Sequence, residues 1–245
     1  MIKQIPNIIT SLNLLCGCVA VMFVLSGDLV IASFFAFLGI FFDFFDGLAA
    51  RLLNASTKVG LELDSLADMI TSGVVPGFVM VQLISQASTG HYLNITEMFS
   101  GNNWNEGFNQ YLPFIGLLIV VASAYRLAKF NVDTRQTTSF IGLPTPANTL
   151  LILSLPLILA FQQTDLVSNL ILNKWVLIAL TVLSSILLNA EIPLFALKFK
   201  TWDFKSNSIR YLFLLLSVAA LFFFHFLAIP AIIIIYILLS LFWRA

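Results

Sequence analysis

An all-α, polytopic transmembrane helical bundle is the fold class this sequence predicts, on three observations. Of 245 residues, 60% are hydrophobic and 10% charged, where soluble domains run to roughly half and a quarter. Mean hydropathy is +0.99. The apolar residues gather into runs of about 20, the length a helix needs to cross a hydrocarbon core. One integral-membrane domain over residues 1–245 is expected, with about eight spans near 6–26, 29–51, 60–86, 111–130, 146–163, 171–189, 209–224 and 226–243. The last pair, joined near His225 to Pro230, carries the weakest punctuation.

The first span opens PNIITSLNLLCG, with Asn7, Thr10 and Asn13 at i, i+3 and i+6 on one stripe of a helix that could have been wholly apolar. Two readings stand: helix-to-helix hydrogen bonding with a cap at Asn7, or contact with a nucleotide head group. Cys16 and Cys18 point to different sides of the same helix, cannot pair with each other, and read as small core residues. No cleavable signal is evident before them.

The second and third spans carry DFFDGLAARLLNASTKVGLELDSLAD, from Asp43 to Asp68. Asp43, Asp46, Gly47 and Ala50 recur at helical spacing with Arg51 beside them. Gly60, Asp64 and Asp68 form a second row, and the turn between the rows is short enough to bring the two acidic faces together. Each carboxylate placed at membrane depth costs roughly 2.5 to 3.5 kcal/mol, so four of them call for a compensating charge. Oxygen donors without a His or Cys cluster select hard cations, Mg²⁺ or Mn²⁺, and two such ions can bridge a phosphoryl group and stabilise a departing oxygen. Small residues in the same rows let a ligand or a backbone approach.

Beyond Asp68, Ser72, Gly73, Pro76 and Gly77 interrupt the apolar pattern and read as a kink or close packing. Span four ends YRLAKFNVDTRQTTSFIGLPTPAN. Arg126, Lys129 and Arg135 either anchor topology or bind a carboxylate or phosphate. Gly142, Pro144 and Pro146 make an elbow, and the next helix is expected to start near Pro146. Asp165 and Lys174 read as a short outer loop. From Glu191 to Arg210, Lys198, Lys200 and Lys205 alternate with Phe195, Phe199, Trp202 and Phe204, a mixture suited to a lipid interface.

With the N-terminus inside, eight spans put every Lys and Arg except Lys174 on the cytoplasmic side, while the outer connection from Ala87 to Gln110 has Glu97 and Glu106 and no basic residue. The expectation is a protein of the cytoplasmic membrane with its acidic cluster facing the cytoplasm. Twelve basic against twelve acidic residues leave no footprint for nucleic acid.

The pattern D-x2-D-G-x2-A-R-x8-G-x3-D-x3-D, eight fixed positions, resembles the signature of the CDP-alcohol phosphatidyltransferase family without a departure. The resemblance implies that Asp43, Asp46, Asp64 and Asp68 hold two Mg²⁺ or Mn²⁺ ions, that Asp68 is the general base, and that Gly47, Ala50, Arg51 and Gly60 surround the cytidine diphosphate. The P-N-x2-T-x2-N opening looks like that of the family's phosphatidylserine synthases of bacteria and archaea, which adds Asn7, Thr10 and Asn13 to the CDP contacts. RLAKFNV followed by SFIGLPTPAN looks like the same branch. That implies CDP-diacylglycerol and L-serine as substrates, phosphatidylserine and CMP as products, Arg126, Lys129 and Arg135 as candidates for the serine carboxylate, and a homodimer. Two alternatives stay open: another acceptor (glycerol 3-phosphate or inositol phosphate), or, in a different class, a divalent-cation transporter.

Overall fold

The computed structural model describes residues 4–96, 108–133, 140–194 and 204–242, and it is helical almost throughout. Helix α1 (Ile5–Leu25) starts with Pro6 in its first turn, where the missing N–H costs nothing. Asp28 caps α2 (Leu29–Leu52) by accepting from Ile31 N at 3.0 Å. Asn54 ends α2 in the left-handed region, φ 48°, while Ala55 N bonds Ala50 O and Asn54 N bonds Arg51 O. This is a Schellman closure, and it uses a residue type that, after glycine, is among those that tolerate the position most readily. Thr57 then caps α3 (Lys58–Asp68) through Gly60 N at 2.9 Å.

A π-helical turn, Met69–Val74, joins α3 to α4 (Val75–Thr89), giving a 32-residue run from Lys58 to Thr89. The kink or close packing expected at Ser72 to Gly77 is therefore a widened turn with Pro76 in the first turn of α4, and Gly73 and Gly77 pack closely on Ser123 and Val120. A 3₁₀ segment, Phe108–Leu117, leads into α5 (Leu118–Val132). After the two-residue strand β1 (Phe140–Ile141) come α6 (Thr145–Phe161), α7 (Asp165–Ile171) and α8 (Lys174–Asn189). Strand β2 (Pro193–Leu194) pairs antiparallel with β1. Helix α9 (Phe204–Phe224), a 3₁₀ turn at His225–Leu227 and α10 (Ala228–Phe242) complete the described chain.

Helix α4 is the central post. Val79, Met80, Leu83 and Ile84 are fully buried against Ala20 and Val24 of α1, Ala32 and Ala36 of α2, Ile119 of α5 and Ile152 of α6. A second cluster joins Leu143, Leu151 and Leu194 to Phe213 and Tyr236. Large apolar side chains point outward over much of the surface, among them Phe222 at 75% and Leu215 at 69% exposure, as a lipid-facing bundle requires. Cys16 and Cys18 are free thiols, one buried and one exposed.

By length and composition, five described helices can cross a membrane, or six if α7 and α8, bent by 58°, count as one span. The expected eight is not reached on that criterion. Helix α6 has only 17 residues, and the stretch from Tyr211 to Ser240 counts once. That stretch is nevertheless not straight. Phe213 and Tyr236 would be about 34 Å apart along one helix, yet their rings lie 5.9 Å apart. The chain reverses at His225, φ 47°. Gln162 of the neighbouring α6 end satisfies the opened backbone, its amide donating to Phe224 O at 2.9 Å and accepting from Leu227 N at 3.0 Å.

Two local expectations change as well. Asp165 and Lys174 are not loop residues, because Thr164 caps α7 and Asn173 caps α8 directly before them. Nor do α2 and α3 pack directly on each other, although the short turn does bring their acidic faces together. Helix α1 packs along α2 and against α3, and the backbones of α2 and α3 stay apart, which leaves a cleft between them. Arg135, Glu97, Glu106, Lys198, Lys200 and Trp202 lie outside the described residues.

Candidate active site

The caps and the Schellman turn fix where α2 ends and α3 begins, and so bring the two acidic rows to opposite walls of this cleft. One carboxylate oxygen each from Asp43, Asp64 and Asp68 lies within 4.8 Å of the others. At an effective dielectric near 20, two unit charges about that far apart repel by about 3 to 4 kcal/mol. Among the described residues no Lys or Arg forms an ion pair with these acids. Asp64 Oδ1 is buried with no hydrogen-bond partner, a costly state for a carboxylate. Three converging oxygen donors with an orphaned buried atom fit a hard divalent cation.

Asp46 stands on the cavity side of the group. It is buried and takes the Thr10 hydroxyl at 2.6 Å. Beside it opens a cavity of about 200 Å³, lined by Asn7, Thr10, Gly47, Ala50, Arg51 and Gly60 together with Asp46 and Asp64. All the residues expected at the cytidine diphosphate except Asn13 meet here. A Cβ at Gly47 would touch nothing within 4 Å, so that position opens onto the cavity. One at Gly60 would sit 2.9 Å from Asn7 Oδ1. Arg51 supplies a cation to this space and the Asn7 amide a neutral donor, a set suited to phosphate oxygens and a polar head.

Asn13 points elsewhere. Its amide donates to Asp68 Oδ1 at 3.2 Å and accepts from Thr71 Oγ1 at 2.7 Å. Thr71 did not stand out in the sequence, although it follows Asp68 by three residues and shares its face. The Gly- and Pro-containing stretch around it pointed to a kink. The Asn131 amide donates to Ser65 Oγ at 2.9 Å and so ties the end of α5 to α3 between Asp64 and Asp68.

The expected serine contacts are placed as follows. Arg126 is buried and donates through one guanidinium nitrogen to Ile141 O at 2.9 Å and Leu188 O at 3.2 Å. Lys129 pairs with Glu191 at 3.4 Å near the surface. Arg135 is outside the described residues. Gly142 explains why the chain can pass so close to Arg126. Its φ is +75°, and a Cβ there would lie 2.7 Å from Leu188 O, one of the carbonyls that Arg126 reaches.

Comparison with known proteins gives one consistent result. The CDP-alcohol phosphatidyltransferase family model matches residues 3–187. The chain is 35% identical over 148 residues to the CDP-diacylglycerol--serine O-phosphatidyltransferase of Bacillus subtilis, across 59% of this chain and 70% of that protein. It is 32% identical over 149 residues to the protein of the same description from Helicobacter pylori, across 60% and 54%. Against the archaetidylserine synthase of Methanothermobacter thermautotrophicus it is 30% identical over 144 residues, across 58% and 53%. The matches span about half the length of the last two relatives. Because the family match runs through every residue of the acidic cleft and most of the chain, this integral-membrane protein belongs to the CDP-alcohol phosphatidyltransferase family.

Proposed function

We propose that the protein transfers the phosphatidyl group of CDP-diacylglycerol to the hydroxyl of L-serine, forming phosphatidylserine and CMP. The observation that carries this reading is the junction of the three-carboxylate cluster with the cavity holding Asn7, Thr10, Gly47, Ala50, Arg51 and Gly60. Serine as acceptor is supported by the bacterial relatives, both of them CDP-diacylglycerol--serine O-phosphatidyltransferases.

Asp43, Asp46, Asp64 and Asp68 are the residues that would hold two Mg²⁺ or Mn²⁺ ions. Such ions supply charge neutralisation to a pyrophosphate and stabilise the leaving phosphate oxygen. The chain's own groups do the rest. Arg51 and the small residues around it seat the cytidine diphosphate. Asp68 accepts the proton of the serine hydroxyl, the serine oxygen bonds to the phosphorus that carries the diacylglycerol, and the bond from that phosphorus to the CMP oxygen breaks. Arg126, Lys129 and Arg135 are the candidates for holding the serine carboxylate, Arg126 through the guanidinium nitrogens not engaged by Ile141 and Leu188. The acidic end faces the cytoplasm, where the Lys and Arg residues concentrate.

The test is CMP release by the purified protein in CDP-diacylglycerol micelles. The expected result is release that needs both serine and Mg²⁺ or Mn²⁺, stops on chelation and returns when the ion is restored. Release driven by glycerol 3-phosphate or inositol phosphate but not by serine would move the acceptor. Chelator-insensitive release would overturn the metal assignment.

A further inference from the structure

Asp68 is held by Asn13, which is held in turn by Thr71, and neither of the two lines the cavity. Asn13 and Thr71 are both fully buried, Thr71 within the π turn. The Thr71 hydroxyl donates to Asn13 Oδ1 at 2.7 Å, with the Asn13 carbonyl a longer second acceptor at 3.3 Å. An amide whose oxygen is taken in this way must turn its NH₂ to the other side, and that side holds Asp68 Oδ1 at 3.2 Å. Donation therefore runs from Thr71 to Asn13 to Asp68, the arrangement that turns an N–H and not an oxygen toward the carboxylate.

The packing locks the pair. A Cβ at Gly17 of α1 would lie 2.5 Å from Thr71 Oγ1, and one at Gly39 of α2 would lie 2.7 Å from Thr71 Cγ2 and 3.0 Å from Asn13 Oδ1. Two helices thus present bare backbone around these side chains, and neither has room to swing. A buried amide and hydroxyl in a helical core are costly unless paired. Here their pairing ends on a carboxylate of the acidic cleft.

We propose that Asn13 and Thr71 are positioning residues for Asp68. Thr71 sets the Asn13 amide, and the amide holds one carboxylate oxygen so that the other faces the cleft. This rests on the role given to Asp68 above, and it assigns Asn13 to the base instead of to the nucleotide. It predicts that the two residues act through one contact.

The experiment compares Thr71→Val, Thr71→Ser, Asn13→Leu and the double variant Asn13→Leu/Thr71→Val as purified proteins, with CMP release and the binding of Mn²⁺ alone, followed by electron paramagnetic resonance, as readouts. Thr71→Val is expected to lower kcat by about 10- to 100-fold and to weaken Mn²⁺ binding, as residues supporting a metal ligand do. The KM for CDP-diacylglycerol stays within about twofold, since uniform binding is untouched. Thr71→Ser restores kcat, and the double variant is no worse than Asn13→Leu alone. Wild-type turnover by Thr71→Val, a Thr71→Ser as impaired as Thr71→Val, or a loss confined to the KM for CDP-diacylglycerol would each overturn the proposal. If Asn13→Leu does not fold, the Val and Ser variants decide between them. If the wild-type protein releases no CMP with serine, it is the transfer reading that fails. Positioning is then judged by Mn²⁺ alone, and wild-type affinity in Thr71→Val refutes it.

Discussion

Two charged rows lie side by side in this bundle and are used in opposite ways. The acids of α2 and α3 recur at helical spacing, as do Arg126 and Lys129 on α5, and the Asn131–Ser65 hydrogen bond shows that the two rows adjoin. The basic residues have protein partners: Arg126 holds two backbone carbonyls and Lys129 holds Glu191. Asp46 and Asp68 take neutral donors, Thr10 and Asn13, while Asp43, Asp64 and Asp68 face one another and, among the described residues, Asp64 Oδ1 has no hydrogen-bond partner. The helical spacing is the same, and what differs is whether the protein itself supplies the counter-group. A row left incomplete by its own fold has room for the ligand proposed above, whereas a completed row has at least one structural duty.

The contrast is broken most severely at its acidic side. Asp68→Asn keeps shape and removes the proposed base, so CMP release is expected to fall by about 10² to 10⁴ while the purified protein keeps its helical circular dichroism. Near-normal turnover would remove Asp68 from the chemistry.

On the basic side the effect divides. Arg126→Ala leaves the carbonyls of Ile141 and Leu188 without their donor, a loss of about 1 to 3 kcal/mol, to be read as a lower melting temperature in detergent. The apparent KM for serine is expected to rise more than that for the lipid. A lower melting temperature with both KM values unchanged would make Arg126 purely structural and sharpen the contrast. The smallest change is expected from Lys129→Ala. The Lys129 and Glu191 side chains are 30% and 69% exposed, and such surface pairs are worth under about 1 kcal/mol. Turnover within about twofold is the expected outcome, and a large loss would place Lys129 in the acceptor site.

What the sequence made legible was local. The acidic rows, the short turn between them and the helical membrane class all follow from spacing within one helix or across five residues. The stripe on α1 shows where that limit lies. Three residues advance a helix by 300°, so Asn7 and Asn13 point about 120° apart. Asn7 and Thr10 reach the cavity, and Asn13 turns to Asp68 and Thr71. A stripe at i, i+3 and i+6 curls around its helix, and α1 has neighbours on more than one side. Arg126 was ambiguous for a different reason: its acceptors, Ile141 and Leu188, are 15 and 62 residues away. The reversal at His225 depends on Gln162, equally remote.

The π turn at Met69–Val74 lets one continuous rod do two unrelated jobs. Its first part is an arm whose acids look into a cleft, and its second is a post buried mostly among apolar side chains. An additional residue in the turn sets the rotational phase of one half independently of the other. Deleting a single residue there would swing the arm by about 100° relative to the post, carry Asp64 and Asp68 away from Asp43, and break the buried contacts of Thr71 with Asn13.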